Sequence, residues 1–185
     1  KKPAYTVYVL DYSGSMSGTG YNAMMYALSE ILVPENAKKN LLQGTSKDRT
    51  VLLPFSSEVY QPKEVSGKDP SELYTYARSF SPRGATSLYE AVEYALNYLD
   101  ERRSELDNYI PAIVVMSDGM ANGSMTAAAL DASYEKRGLD IPIFSILFGD
   151  ASEEEMNGLA EMSKARVFDG REDLIQAFRT VKGYN

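Results

Sequence analysis

A carboxylate and two hydroxyls alternate in the segment Asp-x-Ser-x-Ser at residues 11–15, directly after the apolar run 5–10. Because alternate residues of an extended segment point to the same side, Asp11, Ser13 and Ser15 can face a common point. Hard oxygen ligands that include a single carboxylate suit a small hard cation, Mg²⁺ above all. The segment therefore predicts a magnesium site at the end of a strand.

Two further polar clusters stand at the ends of predicted elements. Thr86 follows a Gly-Ala pair just before a strongly helical stretch, and Asp118 stands in Ser-Asp-Gly directly after the apolar run 110–116. If the runs 5–10 and 110–116 are parallel strands, their carboxyl ends flank the point where the strand order reverses and where ligands bind. This topology would bring Asp11 and Asp118 together.

Each cluster alone also has a purely structural explanation. Asp-x-Ser-Gly-Ser after a strand fits an Asx turn followed by a helix cap, Thr86 fits a loop or cap position, and Ser-Asp-Gly is common in turns. The occurrence of all three clusters in this order favours a metal site over three unrelated turns.

Together the three clusters resemble the metal-ion-dependent adhesion site of the von Willebrand factor type A family, and the resemblance extends over nearly the whole chain. It implies that Ser13 and Ser15 bind the metal directly and that Thr86 binds it either directly or through water. It also implies that Asp11 and Asp118 act mostly through water. One coordination position then stays open for an Asp or Glu carboxylate of a protein partner. Mg²⁺ is the expected ion, with Mn²⁺ or Ca²⁺ as substitutes.

Strand-like and helix-like segments alternate along the chain, which predicts a doubly wound α/β domain with a mostly parallel sheet and helices on both faces. We expect about six strands, one of them a short antiparallel edge strand. The predicted strands cover residues 5–10, 51–55, 58–60 (the edge strand), 110–116, 141–148 and 167–168. The predicted helices cover residues 21–32, 37–42, 71–79, 88–103, 125–137, 152–163 and 172–181.

Several helix ends carry recognisable signals. The Ser-x-x-Glu motifs at 87–90 and 152–155 fit capping boxes, in which the Ser and Glu side chains satisfy backbone amides of the first turn. Ser124 and Gly138 fit the start and the end of the helix between them.

The composition narrows the classes of function. The net charge of −7 argues against nucleic-acid binding, because a phosphate backbone requires clustered Lys and Arg. The chain has no Cys and no His, which excludes disulfides, a Ser-His-Asp triad and the usual zinc sites and favours binding over catalysis. The longest apolar runs, such as 143–148, are too short to cross a bilayer. Tyr12 and Tyr21 fit either core positions or a recognition surface.

We therefore predict a single domain, residues 1–185, that belongs to a longer and bacterial protein and is monomeric in isolation. Its predicted function is divalent-cation-dependent binding of a protein carboxylate, without enzyme activity and without membrane insertion. An extracytoplasmic or cell-surface location is expected, and a cytoplasmic one is also compatible. One alternative is an intracellular regulatory or assembly module paired with an ATPase, as in chelatases. Another is a metal-dependent phosphatase-like enzyme, which would need a second acid where Ser13 stands.

Overall fold

The computed structural model describes residues 2–148, 153–170 and 173–182. Its strands form one twisted sheet with the chain alternating between strands and helices. The strands are β1 (Ala4–Asp11), β2 (Arg49–Phe55), β3 (Lys63–Ser66), β4 (Ile110–Ser117), β5 (Ile143–Leu147) and β6 (Val167–Asp169).

The six-stranded sheet has the order β3-β2-β1-β4-β5-β6. All neighbouring strands are parallel except β2 and β3, which are antiparallel. The strand β1 lies between β2 and β4, with Leu10 in register with Met116. The strand order reverses between β1 and β4, so a crevice opens at their carboxyl ends. The predicted doubly wound α/β fold is confirmed.

Helices cover both faces of this sheet. They are α1 (Thr19–Leu32), α2 (Pro34–Lys39), α3 (Ser71–Arg78), α4 (Leu88–Asp100), α5 (Ala127–Arg137), α6 (Glu154–Met162) and α7 (Leu174–Val181), with 3₁₀ turns at Gly14–Met16 and Arg103–Asn108. One core lies between the sheet and α1, α2, α3 and α7, and the other lies between the sheet and α4, α5 and α6. Successive residues of β1 enter opposite cores, which explains why the strand is apolar throughout.

The helix α4 shows how the predicted pattern became structure. Its apolar stripe is fully buried, as the helical spacing predicts, and consists of Leu88, Ala91, Val92, Ala95, Leu96 and Leu99. The helix ends at Asp100 rather than near residue 103. At the end of α5, Gly138 adopts φ 62°, the left-handed conformation that terminates a helix, as predicted.

The antiparallel edge strand lies at Lys63–Ser66 and not at 58–60, where only an isolated bridge between Val59 and Phe55 forms. The sequence Lys-Glu-Val-Ser is polar because an edge strand faces solvent, so it resembles a loop. Glu64 anchors the strand by accepting hydrogen bonds from Tyr5 (2.6 Å) and Arg49 (2.9 Å).

Two of the predicted caps are wrong. The Ser87 hydroxyl donates to the Ser57 carbonyl at 2.8 Å instead of capping α4. The helix α5 is capped by Thr126, whose hydroxyl accepts from the amide of Ala129 at 3.1 Å, and not by Ser124. The first residue of the motif 152–155 lies outside the described residues. Within those residues, no helix is both long enough and apolar enough to cross a membrane.

Candidate metal centre

Asp11 is the last residue of β1, and its side chain is fully buried. Its Oδ1 accepts a hydrogen bond from the amide of Ser13 at 2.7 Å, and its Oδ2 accepts one from the hydroxyl of Ser117 at 2.7 Å. Since Ser117 ends the neighbouring strand β4, the carboxylate is held from both sides of the switch point.

Ser13 and Ser15 follow this carboxylate in the sequence. Ser13 is extended (φ −68°, ψ 162°) and precedes the 3₁₀ turn Gly14–Met16. The two hydroxyl oxygens are 3.2 Å apart. Ser13 is buried and Ser15 is exposed, so the pair spans the boundary between the protein interior and solvent.

The loop that carries Thr86 is joined to the first loop by two backbone hydrogen bonds. The amide of Gly14 donates to the carbonyl of Gly84 at 3.0 Å, and the amide of Arg83 donates to the carbonyl of Tyr12 at 2.8 Å. The structure therefore brings the second polar cluster next to the first, as the resemblance to the von Willebrand factor type A family implies.

Ser57 supports the same loop through two hydrogen bonds, a role that the sequence did not reveal. Its hydroxyl accepts from the amide of Ala85 at 2.8 Å, and its carbonyl accepts from the Ser87 hydroxyl at 2.8 Å. Gly84 has φ 77°, and a Cβ atom there would lie 2.6 Å from the Ser57 hydroxyl oxygen. Glycine is therefore required by both conformation and space.

Thr86 is buried and is held by Asn122, another residue that sequence reasoning missed. The Oδ1 of Asn122 accepts from the amide of Thr86 at 2.6 Å, and the amide of Asn122 donates to the carbonyl of Thr86 at 3.0 Å. The Thr86 hydroxyl makes no hydrogen bond with any described residue, so its oxygen is available to a ligand. Asn122 had only a turn signal, Asn-Gly, to mark it.

Asp118 follows β4 and is also buried. Its Oδ1 accepts from the amide of Met120 at 3.3 Å. The hydroxyl of Ser117 accepts from the amide of Gly119 at 3.0 Å while it donates to Asp11. This chain of bonds fixes the third cluster against the first.

Glu90 lies in the first turn of α4, directly after the loop that carries Thr86. It connects this part of the chain to the loop that follows Asp118. Its Oε2 accepts from the amide of Ser124 at 3.0 Å, from the hydroxyl of Ser124 at 3.3 Å and from the amide of Met125 at 3.3 Å. A Cβ atom on Gly123 would lie 2.6 and 2.7 Å from the two Glu90 carboxylate oxygens. The predicted capping box is therefore replaced by a longer-range contact.

The electrostatics of the site favour a cation. Burial raises the pKa of Asp11 above its ordinary value, hydrogen bonds from Ser13 and Ser117 oppose this shift, and the charge of Asp118 raises the pKa further. A bound cation would relieve both the burial cost and the repulsion between the two carboxylates.

The oxygen donors present fit Mg²⁺ in type, since hydroxyls and carboxylates are hard ligands. In the described part of the chain, no group of three or more His, Cys, Asp or Glu side chains could hold a metal ion. A metal at this centre would therefore depend on Ser and Thr hydroxyls for a large share of its protein ligands.

The large apolar and aromatic residues near the site differ in how far they are exposed to solvent. Tyr12 is buried, and its hydroxyl donates to the carbonyl of Ala77 at 2.5 Å, so it belongs to the core and not to a recognition surface. Tyr21 packs beside it and is partly exposed. Met120 is half exposed and stands two residues after Asp118 at the rim.

Comparison with known families is consistent with this geometry. The family model for the von Willebrand factor type A domain matches residues 7–178. The chain belongs to this family. A search of curated proteins finds no match for this type A domain.

Solved structures with the same fold include type A domains and related proteins from several organisms. An aerotolerance-related membrane protein from Bacteroides fragilis superposes with a TM-score of 0.71 at 15% identity, covering 97% of each chain. Manganese-loaded TRAP protein from Plasmodium vivax gives 0.66 at 16% identity, covering 96% of this chain and 73% of that one. The mussel byssus protein PTMP1, with a zinc-occupied MIDAS motif, gives 0.66 at 14% identity, covering 98% and 47%. At these identities the likeness shows the fold.

Proposed function

We propose that this type A domain binds a protein partner through a divalent cation, with Mg²⁺ as the expected ion and Mn²⁺ or Ca²⁺ as substitutes. The observation that carries the proposal is the meeting of three oxygen-bearing clusters at the switch point of the sheet. They are joined there by the hydrogen bond from Ser117 to Asp11 and by the backbone bond from Gly14 to Gly84.

In this proposal Ser13, Ser15 and Thr86 bind the metal, and Asp11 and Asp118 orient its water ligands. When bound, the cation would supply an open coordination position for an Asp or Glu carboxylate of the partner. An overall acidic domain can then bind an acidic group. The manganese-loaded TRAP protein and the zinc-occupied PTMP1 support this, since each pairs the same fold with a divalent metal.

We further propose that the site binds and does not catalyse. The chain has no His and no Cys, so a general base near neutral pH would have to be a carboxylate or a lysine. The two carboxylates of the site are both engaged by hydrogen bonds from Ser13, Ser117 and Met120. They therefore suit the orientation of metal-bound water better than the transfer of a proton.

The extracytoplasmic or cell-surface location belongs to the same proposal. It is supported by fold relatives that include the membrane protein of Bacteroides fragilis. Protease treatment of intact cells that express the full-length protein would test it, because a surface domain is cleaved before the cells are lysed and a cytoplasmic one is not.

Calorimetric titration with Mg²⁺ and with Mn²⁺ tests the metal site. We expect saturable binding by the native domain and loss of binding in Ser13→Ala/Ser15→Ala. The matched control is Ser66→Ala/Ser104→Ala, which removes two exposed hydroxyls elsewhere and should bind as the native domain does. Absence of binding by the native domain at millimolar metal, or equal binding by all three proteins, would refute the proposed site.

A second titration tests the partner chemistry. A short peptide with a central Asp should bind in the presence of Mg²⁺ and not in the presence of EDTA, and the same peptide with Asn in place of Asp should not bind. Binding that ignores both the metal and the carboxylate would show that partners use another surface.

A further inference from the structure

A wide groove lies between α5 and α6 and is also lined by Tyr89 of α4; none of the proposed metal ligands lines it. Its volume is about 1090 Å³. Pockets for small molecules span roughly 300–1,000 Å³, so this groove is large enough for a segment of polypeptide.

The floor of the groove is apolar. Leu130 of α5 and Leu159 of α6 line it and are buried, while the partly buried Met162 and the exposed Ala127 and Ala128 offer apolar surface to a ligand. An apolar floor between two helices is the arrangement that receives the apolar face of a third helix.

Gly158 lines the groove and has no side chain to fill it. It stands in the middle of α6, where a glycine weakens a helix relative to alanine. Apart from its two chain neighbours and the backbone of its own helix, no described atom lies within 4 Å of the position that its Cβ would occupy, so no packing in the described chain requires a glycine there. A backbone approaching from outside could use this space.

The groove is strongly acidic. Asp131, Glu154, Glu155 and Glu161 line it, and none of the described lining residues is Lys or Arg. Burial raises the pKa of Tyr89, and the charges of Glu155 and Glu154 raise it further, in keeping with an acidic lining around that side chain.

Glu155 adds a specific acceptor. Its Oε2 is out of contact with solvent and has no hydrogen-bond partner among the described residues. A buried carboxylate oxygen without a partner is costly, and a donor from outside would remove that cost if the partly exposed Glu155 side chain turned toward the groove on binding. Lys or Arg is the donor that matches its charge.

We propose that this groove docks a basic amphipathic helix of a partner protein, with its apolar side chains on the floor and its Lys or Arg side chains against the acidic walls. Charge complementarity and the apolar floor together select this occupant, since an anionic lipid surface or a nucleic acid would be repelled. The groove is a second binding surface that does not depend on the metal.

The test uses a fluorescently labelled helical peptide with Leu at positions i, i+3, i+4 and i+7 and Lys on both flanks. A matched peptide carries Glu in place of every Lys. Binding is followed by fluorescence anisotropy at about 0.15 M salt, where interactions between exposed charges are screened beyond roughly 8 Å. We expect saturable binding of the Lys peptide only.

Two variants locate the binding. Asp131→Asn/Glu161→Gln removes two groove charges and should weaken binding about tenfold, whereas Glu35→Gln/Asp107→Asn removes two exposed charges elsewhere and should change it less than about twofold. Gly158→Leu fills the groove at a position with free space, so it should fold normally and also lose about tenfold in affinity.

These measurements distinguish peptide binding in the groove from binding at the metal centre and from nonspecific electrostatic attraction to an acidic protein. Unchanged peptide binding by Ser13→Ala/Ser15→Ala would support a surface independent of the metal. Equal weakening by the groove and control charge pairs, native-like binding by a folded Gly158→Leu, or no saturable binding of the Lys peptide would each overturn the proposal.

Discussion

Asn122 holds the peptide groups on both sides of Thr86. Its side-chain Oδ1 accepts from the Thr86 amide at 2.6 Å, and its own amide donates to the Thr86 carbonyl at 3.0 Å. Asn122, in the loop after β4, therefore sets the position of the Thr86 hydroxyl, which the loop before α4 offers to a metal. The hydroxyl itself stays free of hydrogen bonds within the described residues.

Replacing Asn122 with Ala should weaken Mg²⁺ binding about tenfold, because loss of a group that orients a metal ligand typically costs 10–100-fold in affinity. Titration calorimetry measures the change. Asn108→Ala is the control, since Asn108 is exposed and lies in a distant 3₁₀ turn. Native affinity in Asn122→Ala would mean that Thr86 needs no support or does not bind the metal.

Two glycines should respond to alanine in opposite directions. A Cβ at Gly123 would lie 2.6 Å from a Glu90 oxygen and 2.9 Å from the Cα of Ser87, so Gly123→Ala should lower the free energy of unfolding by about 1–3 kcal/mol. Gly158→Ala adds a methyl group in open space within a helix and should raise that free energy by about 0.5–1 kcal/mol. Urea denaturation of both variants measures the two effects.

Gly123→Ala should also affect the metal site, because a Cβ at residue 123 would displace the Glu90 carboxylate. Displacement of this carboxylate would break the bonds to Ser124 and Met125 and loosen the loop after Asp118. Gly123→Ala should therefore also weaken Mg²⁺ binding, while Gly158→Ala should leave it unchanged. Equal stability changes in the two variants would contradict the steric argument.

The placement of Asp11 and Asp118 could be predicted from the sequence because it depends on topology. Each residue follows an apolar run long enough for one strand, and parallel strands direct their carboxyl ends to the same edge. Ser13 continues the extended chain of β1, as the two-residue period predicts, whereas Ser15 comes within 3.2 Å of the Ser13 hydroxyl through the 3₁₀ turn Gly14–Met16. The placement of the two aspartates needs strand positions and topology only, and no knowledge of neighbouring loops.

The supporting contacts could not be predicted in this way. Glu90 matches a local capping motif, yet its carboxylate bonds to Ser124, 34 residues further along the chain. A local cap and a long-range bond compete for the same side chain, and only the packed structure decides between them. The edge strand Lys63–Ser66 was missed because its solvent-facing polarity hides the strand pattern.

Tyr12 provides a test of core packing next to the site. Its buried hydroxyl donates to the carbonyl of Ala77 at 2.5 Å. Tyr12→Phe leaves that carbonyl without its partner and should cost about 1–2 kcal/mol of unfolding free energy. Thermal unfolding measures the loss, and the exposed Tyr94→Phe serves as the control. Mg²⁺ binding should be unchanged, because a large loss of affinity would mean that Tyr12 also shapes the metal centre.

The pKa of Asp11 leads to the final prediction. Since burial raises that pKa in the folded, metal-free domain, the folded state binds a proton more readily than the unfolded state. Stability of the metal-free domain should therefore fall as pH rises above the ordinary pKa of a carboxylate and through the raised one. The loss should be complete once the pH lies above the raised pKa.

Asp11→Asn removes this penalty, so at neutral pH in EDTA the variant should melt a few degrees above the native domain, given that about 1 kcal/mol corresponds to roughly 2–4 °C at this size. The gap should close as pH falls below the ordinary carboxylate pKa, where the native Asp11 is already neutral. Saturating Mg²⁺ should reverse the order at neutral pH, because ligand binding stabilises only the domain that retains the site. Thermal unfolding at several pH values, with Mg²⁺ and with EDTA, measures all three effects. A variant that melts below the native domain in EDTA at neutral pH would show that the bonds from Ser13 and Ser117 outweigh the burial cost of the charge.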